Sequence, residues 1–157
     1  MSLLAPILAF ILSALCVFAQ KSCKCLPGDA CFPSQEIWDA FSKKLSQPLI
    51  SNQKPLASPC YQSSPNFDAS TCVFVTQNQF NTELLSASPS AVQWTIWEAL
   101  IINGTVQQCP FSPGPDEKCF QGRVPVASVN ATSVKDIQET FTFASDHNLK
   151  LVVRNAG

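Results

Sequence analysis

Ser133-Val-Lys-Asp-Ile-Gln-Glu-Thr-Phe-Thr-Phe-Ala-Ser-Asp-His147, followed by Asn148 and by Leu149-Lys-Leu-Val-Val-Arg-Asn-Ala-Gly157, is the stretch whose reading decides the fold. Ser133 and Asp136 stand three apart, hydroxyl to acid, the pattern of a capping box at a helix start. Val134, Ile137, Phe141 and Ala144 recur on one helical face. Asn148 tolerates the left-handed conformation that ends a helix. Leu149, Leu151 and Val153 then predict a strand, and Val124, Val126 and Val129 predict another before the helix, with Pro125 near its start. Two strands joined through a helix are expected to pair in parallel. The expected unit is thus β-α-β, ending on the small residues Asn155, Ala156 and Gly157. Such turns cradle phosphates in many folds, because small side chains let backbone N–H groups approach an anion. The turn has no far side in this sequence, so the expectation is the front portion of a larger protein.

Leu3 to Phe18 is almost uninterruptedly apolar, small residues occupy Val17 and Ala19, and the polar Gln20-Lys21 follows. This predicts a signal peptide over residues 1–19 rather than an anchor, since the run falls short of the roughly 20 residues needed to span a bilayer. Secretion follows as the expected localisation, with no stable membrane association after cleavage. The remaining chain is long enough for one domain. Ten basic and eleven acidic residues lie without runs, giving a net charge of −1 and no basic patch for nucleic acid.

Cys16 leaves with the leader, and Cys23, Cys25, Cys31, Cys60, Cys72, Cys109 and Cys119 remain. In an exported chain they are disulfide candidates before they are metal ligands. A zinc site would want paired Cys-x2-Cys spacing or histidine partners, and the sole histidine is His147. Short separations suggest Cys109–Cys119 and Cys60–Cys72, and the connectivity stays open. The odd count implies a thiol that is free, or pairs with another chain, or lacks a partner. Asn103-Gly-Thr105 and Asn130-Ala-Thr132 are glycosylation sequons consistent with export.

Residues 20–122 read as a cysteine-rich segment and residues 123–157 as the start of a second unit. Ser34 is placed to cap a helix carrying Ile37, Trp38, Phe41 and Leu45, with Lys43 and Lys44 in its last turn. Leu49-Ile50 and Cys72-Val-Phe-Val75 predict short strands. Ala91 to Trp97 alternates apolar and polar residues and predicts a strand, with a short helix after Ser90 as the alternative. Trp94 and Trp97 are read as packing residues, and 103–122 as a long loop. A Cys109–Cys119 bond would remove roughly 2–3 kcal/mol of unfolded-state entropy from that loop. His147 is expected to be exposed at a helix end. Arg154 reads as an ion-pair residue or, beside the terminal turn, a phosphate ligand. No nucleophile–histidine–acid set is in evidence around the sole histidine, which argues against a self-contained hydrolase.

Cys25-Leu-Pro-Gly-Asp-Ala-Cys31-Phe-Pro-Ser34 with Trp38 resembles the start of secreted fungal FAD-linked oxidases. These are berberine-bridge-enzyme-like proteins of the vanillyl-alcohol-oxidase and p-cresol-methylhydroxylase (PCMH) superfamily. Pro59-Cys60, Cys72-Val-Phe-Val75, Trp97-Glu98, Cys119-Phe-Gln-Gly-Arg-Val-Pro125 and Phe143 to Gly157 continue the resemblance over the rest of the chain. It implies an α+β fold, a disulfide-rich helical and loop segment leading into an incomplete PCMH-type FAD-binding domain. It also implies that Arg154, Asn155, Ala156 and Gly157 edge the FAD pyrophosphate, just ahead of the histidine that carries the flavin in such enzymes. FAD is the implied cofactor and a small molecule the implied substrate, with no catalytic residue inside these 157 residues. The alternative is a stand-alone secreted cysteine-rich binding protein.

Overall fold

The computed structural model describes residues 23–92, 95–114 and 116–155, so the expected leader 1–19, Trp94, Ala156 and Gly157 lie outside the described residues. Four α-helices, two short strands and two 3-10 turns make up the regular structure of the described part. They gather around two apolar clusters, one aromatic and one disulfide-bearing.

The aromatic cluster joins α1 (Gln35–Ser42) to α4 (Val134–Asp146). Phe41 stacks on Phe143 with ring centroids 4.1 Å apart, and Trp38 lies 4.8 Å from the same ring. Such geometries contribute beyond the apolar area they bury. Ser34 occupies the expected N-cap of α1, but its hydroxyl makes no capping bond; its carbonyl accepts from Ile37 and Trp38 N–H. The capping box of α4 forms as the sequence predicts. Ser133 Oγ accepts from Asp136 N–H at 3.2 Å, and Asp136 Oδ2 accepts from Ser133 N–H at 2.9 Å. Asp136 also accepts from Thr132 N–H and, through Oδ1, from Ser46 N–H at 2.8 Å. Its side chain is fully buried. One carboxylate therefore ties the start of α4 to the chain leaving α1. At the other end of α4, Asn148 takes φ 51° and Leu149 N–H bonds Ala144 O at 2.8 Å. Cys25 N–H bonds Asn148 O, and Asn148 Nδ2 bonds Cys23 O, pinning the cysteine-rich start of the chain to this helix end.

The second cluster comprises Ala57, Tyr61, Val75, Cys109 and Phe111. A 3-10 turn (Ser58–Cys60) is bonded to α2 (Ala69–Gln77) through Cys60–Cys72, and Tyr61 Oη donates to Pro110 O at 2.8 Å. The expected strand over Cys72–Val75 is instead part of this helix. Asp68 accepts from Thr71 N–H at 2.6 Å and caps it, a local signal that outweighs the β-branched composition. Asn81 likewise caps α3 (Thr82–Ala87), a helix that sequence reading leaves unassigned.

β1 (Leu100–Ile102) and β2 (Thr105–Gln107) form a hairpin whose turn and second strand fall within the expected loop 103–122. Asn103 at φ 49° and Gly104 at φ 77° form its two-residue turn, the Asn-Gly pair whose twist matches that of antiparallel strands. Thr95–Glu98 is a 3-10 turn, so the described part of 91–97 follows the helical alternative and not the strand. Trp97 is 56% exposed rather than packed. Gly122 (φ 54°) lies where a Cβ would overlap Glu98 O, which accepts from Arg123 N–H at 2.8 Å; glycine is required there by both torsion and space.

Neither strand of the expected β-α-β unit forms a ladder. Residues 124–129 contribute a single antiparallel bridge, Ile50 with Ser128, supplemented by Gln53 N–H to Val126 O. Pro125 has no N–H to extend it. Residues 149–153 carry no sheet partner, and Val152 and Val153 are 69% and 75% exposed. A strand is a property of a pair, and no second strand lies beside this one among the described residues.

Two buried acids set the pH response. The Ser46 N–H and the capping bonds hold the Asp136 carboxyl below its ordinary 3.8, so the stability it supplies is present above about pH 4 and is lost as pH falls further. Burial pushes Glu98 from 4.5 to about 7, so stability declines as pH rises between those values. The expected outcome is a melting temperature highest near about pH 4–5. In thermal scans Glu98→Gln removes the decline toward pH 7, and Asp136→Asn lowers the melting temperature at pH 5 and removes the loss below pH 4. A wild-type maximum above pH 7 would contradict this assignment.

Candidate functional site

The expected site begins at Arg154. Its guanidinium reaches four backbone carbonyls near the end of α3: Ser88 O at 2.9 Å, Ala91 O at 3.0 Å, Leu85 O at 3.4 Å and Ser86 O. The last carbonyls of a helix have no intrahelical partner and carry the negative end of its dipole, which a guanidinium fork satisfies. Among the described residues, Arg154 is thus held by backbone carbonyls rather than by an acidic side chain. It fixes where the chain from Asn148 onward leads.

Asn155, the next residue, is exposed, and Ala156 and Gly157 lie outside the described residues. From the αL residue Asn148 to the Arg154 clamp, the segment makes no sheet pairing among the described residues. Backbone N–H groups free of a sheet are the donors an anion needs, and the residues that follow are small. Among the described residues no group of three His, Cys, Asp or Glu side chains is placed to hold a metal ion.

The sequence-predicted cysteines resolve into Cys25–Cys31, Cys60–Cys72 and Cys109–Cys119, with Cys23 the exposed free thiol that the odd count anticipates. Cys23 is thereby corrected from disulfide candidate to free cysteine. His147 is half-buried rather than exposed, its ring 4.6 Å from that of Phe143. Sequence reading misses Glu98 and Tyr61 as buried ionisable groups; burial pushes the Tyr61 phenol up, with Glu117 and Glu98 adding to the shift. No local pattern announces either residue, since each is buried by distant chain.

Removing the Arg154 fork should loosen the carbonyls it satisfies. In hydrogen–deuterium exchange, Arg154→Met is expected to speed amide exchange across 84–91 by about tenfold, corresponding to about 1.4 kcal/mol for hydrogen bonds from a charged donor. Exchange at α1 should stay unchanged, and uniform acceleration would contradict a local clamp.

No protein-family model matches the chain. Its sequence is 35% identical over 136 residues to the FAD-linked oxidoreductase asqF of Emericella nidulans, covering 86% of this chain and 23% of that protein. It is 35% identical over 153 residues to the FAD-linked oxidoreductase patO of Penicillium expansum, covering 96% of this chain and 25% of the relative. Its fold superposes on a VAO-type flavoprotein of Myceliophthora thermophila with a TM-score of 0.70 and 30% identity, over 87% of this chain and 24% of that one. The chain spans about a quarter of the length of the curated relatives it matches. By sequence and by fold, the chain is similar to about a quarter of the FAD-linked oxidoreductases and the VAO-type flavoprotein it matches.

Proposed function

We propose that the chain is the front portion of a secreted FAD-dependent oxidoreductase acting on a small molecule, and that residues 154–157 edge the pyrophosphate of its FAD. The observation that carries this is the Arg154 clamp. It directs a segment ending in Asn155, Ala156 and Gly157, within a chain whose relatives are named FAD-linked oxidoreductases. Backbone N–H groups of 155–157 would hold phosphate oxygens, and Arg154 would position them through the end of α3. FAD, when bound, supplies the hydride acceptor for oxidation of substrate, and dioxygen takes the electrons. The chain's own contribution is to orient and bind. Three disulfides support an oxidising compartment, and no helix among the described residues is long and apolar enough to cross a membrane.

The 157 residues alone offer few donors to a dinucleotide, and we expect the purified chain to be colourless and to leave flavin fluorescence unchanged on titration. The positive test replaces the matching quarter of the Emericella relative with residues 23–157. A yellow chimera is expected, and Asn155→Pro with Gly157→Pro should remove its flavin absorbance while the fold persists by circular dichroism. A folded chimera that stays colourless, or a proline variant that keeps its flavin, would overturn the assignment.

A further inference from the structure

Asn103 sits at the tip of the β1–β2 hairpin. Asn103, Gly104 and Thr105 are all exposed, and among the described residues neither the Asn103 carboxamide nor the Thr105 hydroxyl makes a hydrogen bond. The tip is held on a fixed stem: Leu100 pairs with Gln107, Ile101 with Val106 and Ile102 with Thr105. At the base, Gly122 packs closely under Glu98 O and Gln107 O, and Cys109 is bonded to Cys119. The other sequon differs. Thr132 donates to the buried Asp136 through both its N–H and its hydroxyl, at 3.0 Å and 3.4 Å, so the hydroxyl of Asn130-Ala-Thr132 belongs to the start of α4. A second observation marks the same hairpin. Ile101 and Val106, a cross-strand pair next to the tip, are 68% and 49% exposed, an apolar face that a bulky polar group would shield.

We propose that Asn103 carries an N-linked oligosaccharide that shields the Ile101–Val106 face of the hairpin, and that it does so in preference to Asn130. The co-reactant is an oligosaccharide linked to a polyprenyl diphosphate. The Asn103 carboxamide nitrogen forms a bond to the anomeric carbon of the first sugar and loses one proton. The bond from that carbon to the diphosphate oxygen breaks, and the polyprenyl diphosphate leaves with the electron pair. The free Thr105 hydroxyl, two residues on, is the group the sequon requires. This rests on the export reading of the proposed function, since the donor occurs only in the secretory compartment.

The test expresses the full 157-residue chain in a eukaryotic secretory host, once with its own first 19 residues and once with a heterologous leader in their place. Medium and microsomal fractions are read together, so retained chains are counted. The expected result is a slower-migrating form that peptide-N-glycosidase collapses, leaving Asp at position 103 in the peptide map. Asn103→Gln and Thr105→Ala should abolish it, Thr105→Ser should keep it, and Asn130→Gln should leave the Asn103 glycopeptide in place. The shielding arm compares the wild-type chain before and after enzymatic deglycosylation, with an increase in dye binding to exposed apolar surface expected. Unmodified Asn103 under the heterologous leader, or a glycan on Asn130 alone, overturns the site. Unchanged dye binding overturns the shielding role. Modification only under the heterologous leader supports the site and counts instead against the export reading.

Discussion

The Asp136 carboxylate is the point on which the arrangement of this chain depends. Three backbone N–H groups converge on it, two from the turn before α4 and one from Ser46, ninety residues upstream. A buried carboxylate is tolerated only where hydrogen bonds replace the water it loses. Here the same bonds that solvate the charge fix the register of α4 against the chain leaving α1. With that register set, Phe143 meets Phe41 and Trp38, and the far end of the helix delivers Asn148 to the backbone of Cys23 and Cys25. The exposed Lys44–Glu139 pair at 3.7 Å spans the same two elements, but an ion pair in water contributes little beside it.

The second cluster is stabilised differently. Its core is small, and covalent closure compensates: Cys60–Cys72 holds a 3-10 turn to α2, and Cys109–Cys119 folds the chain after the hairpin back beneath Tyr61. Crosslinks that restrict the unfolded chain are the usual recourse where apolar burial is modest. Large apolar side chains stay exposed on several faces, among them Phe80, Ile96, Trp97, Val134, Val152 and Val153. Relatives about four times as long have far more chain with which to cover equivalent surfaces.

Between these clusters and the candidate cofactor edge stands Arg154. A guanidinium on four carbonyls is a positional device, because its planar fork defines a direction as well as a charge. It transmits the placement of α3, itself fixed by the Asn81 cap, to the backbone that would meet an anion.

What the sequence determined by itself is what short-range chemistry decides. The Ser133–Asp136 box, the αL turn at Asn148, the leftover thiol and two of the three disulfides all rest on residues close along the chain. The Asp68 cap is an equally local signal, opposed by the β-branched composition of Cys72 to Val75, and the Asn103-Gly104 turn is encoded by two adjacent residues within the stretch expected to be loop. Tertiary structure alone decided the rest. Whether 124–129 and 149–153 become strands depends on a partner elsewhere in the chain, so alternation of valines could propose them and not pair them. The burial of Glu98 and Tyr61 and the carbonyls that receive Arg154 likewise depend on segments tens of residues away, which no local pattern encodes. The physical reason is the same in each case: caps and turns satisfy their hydrogen bonds within a few residues, whereas strands, buried acids and clamps satisfy theirs only once the chain has folded back on itself.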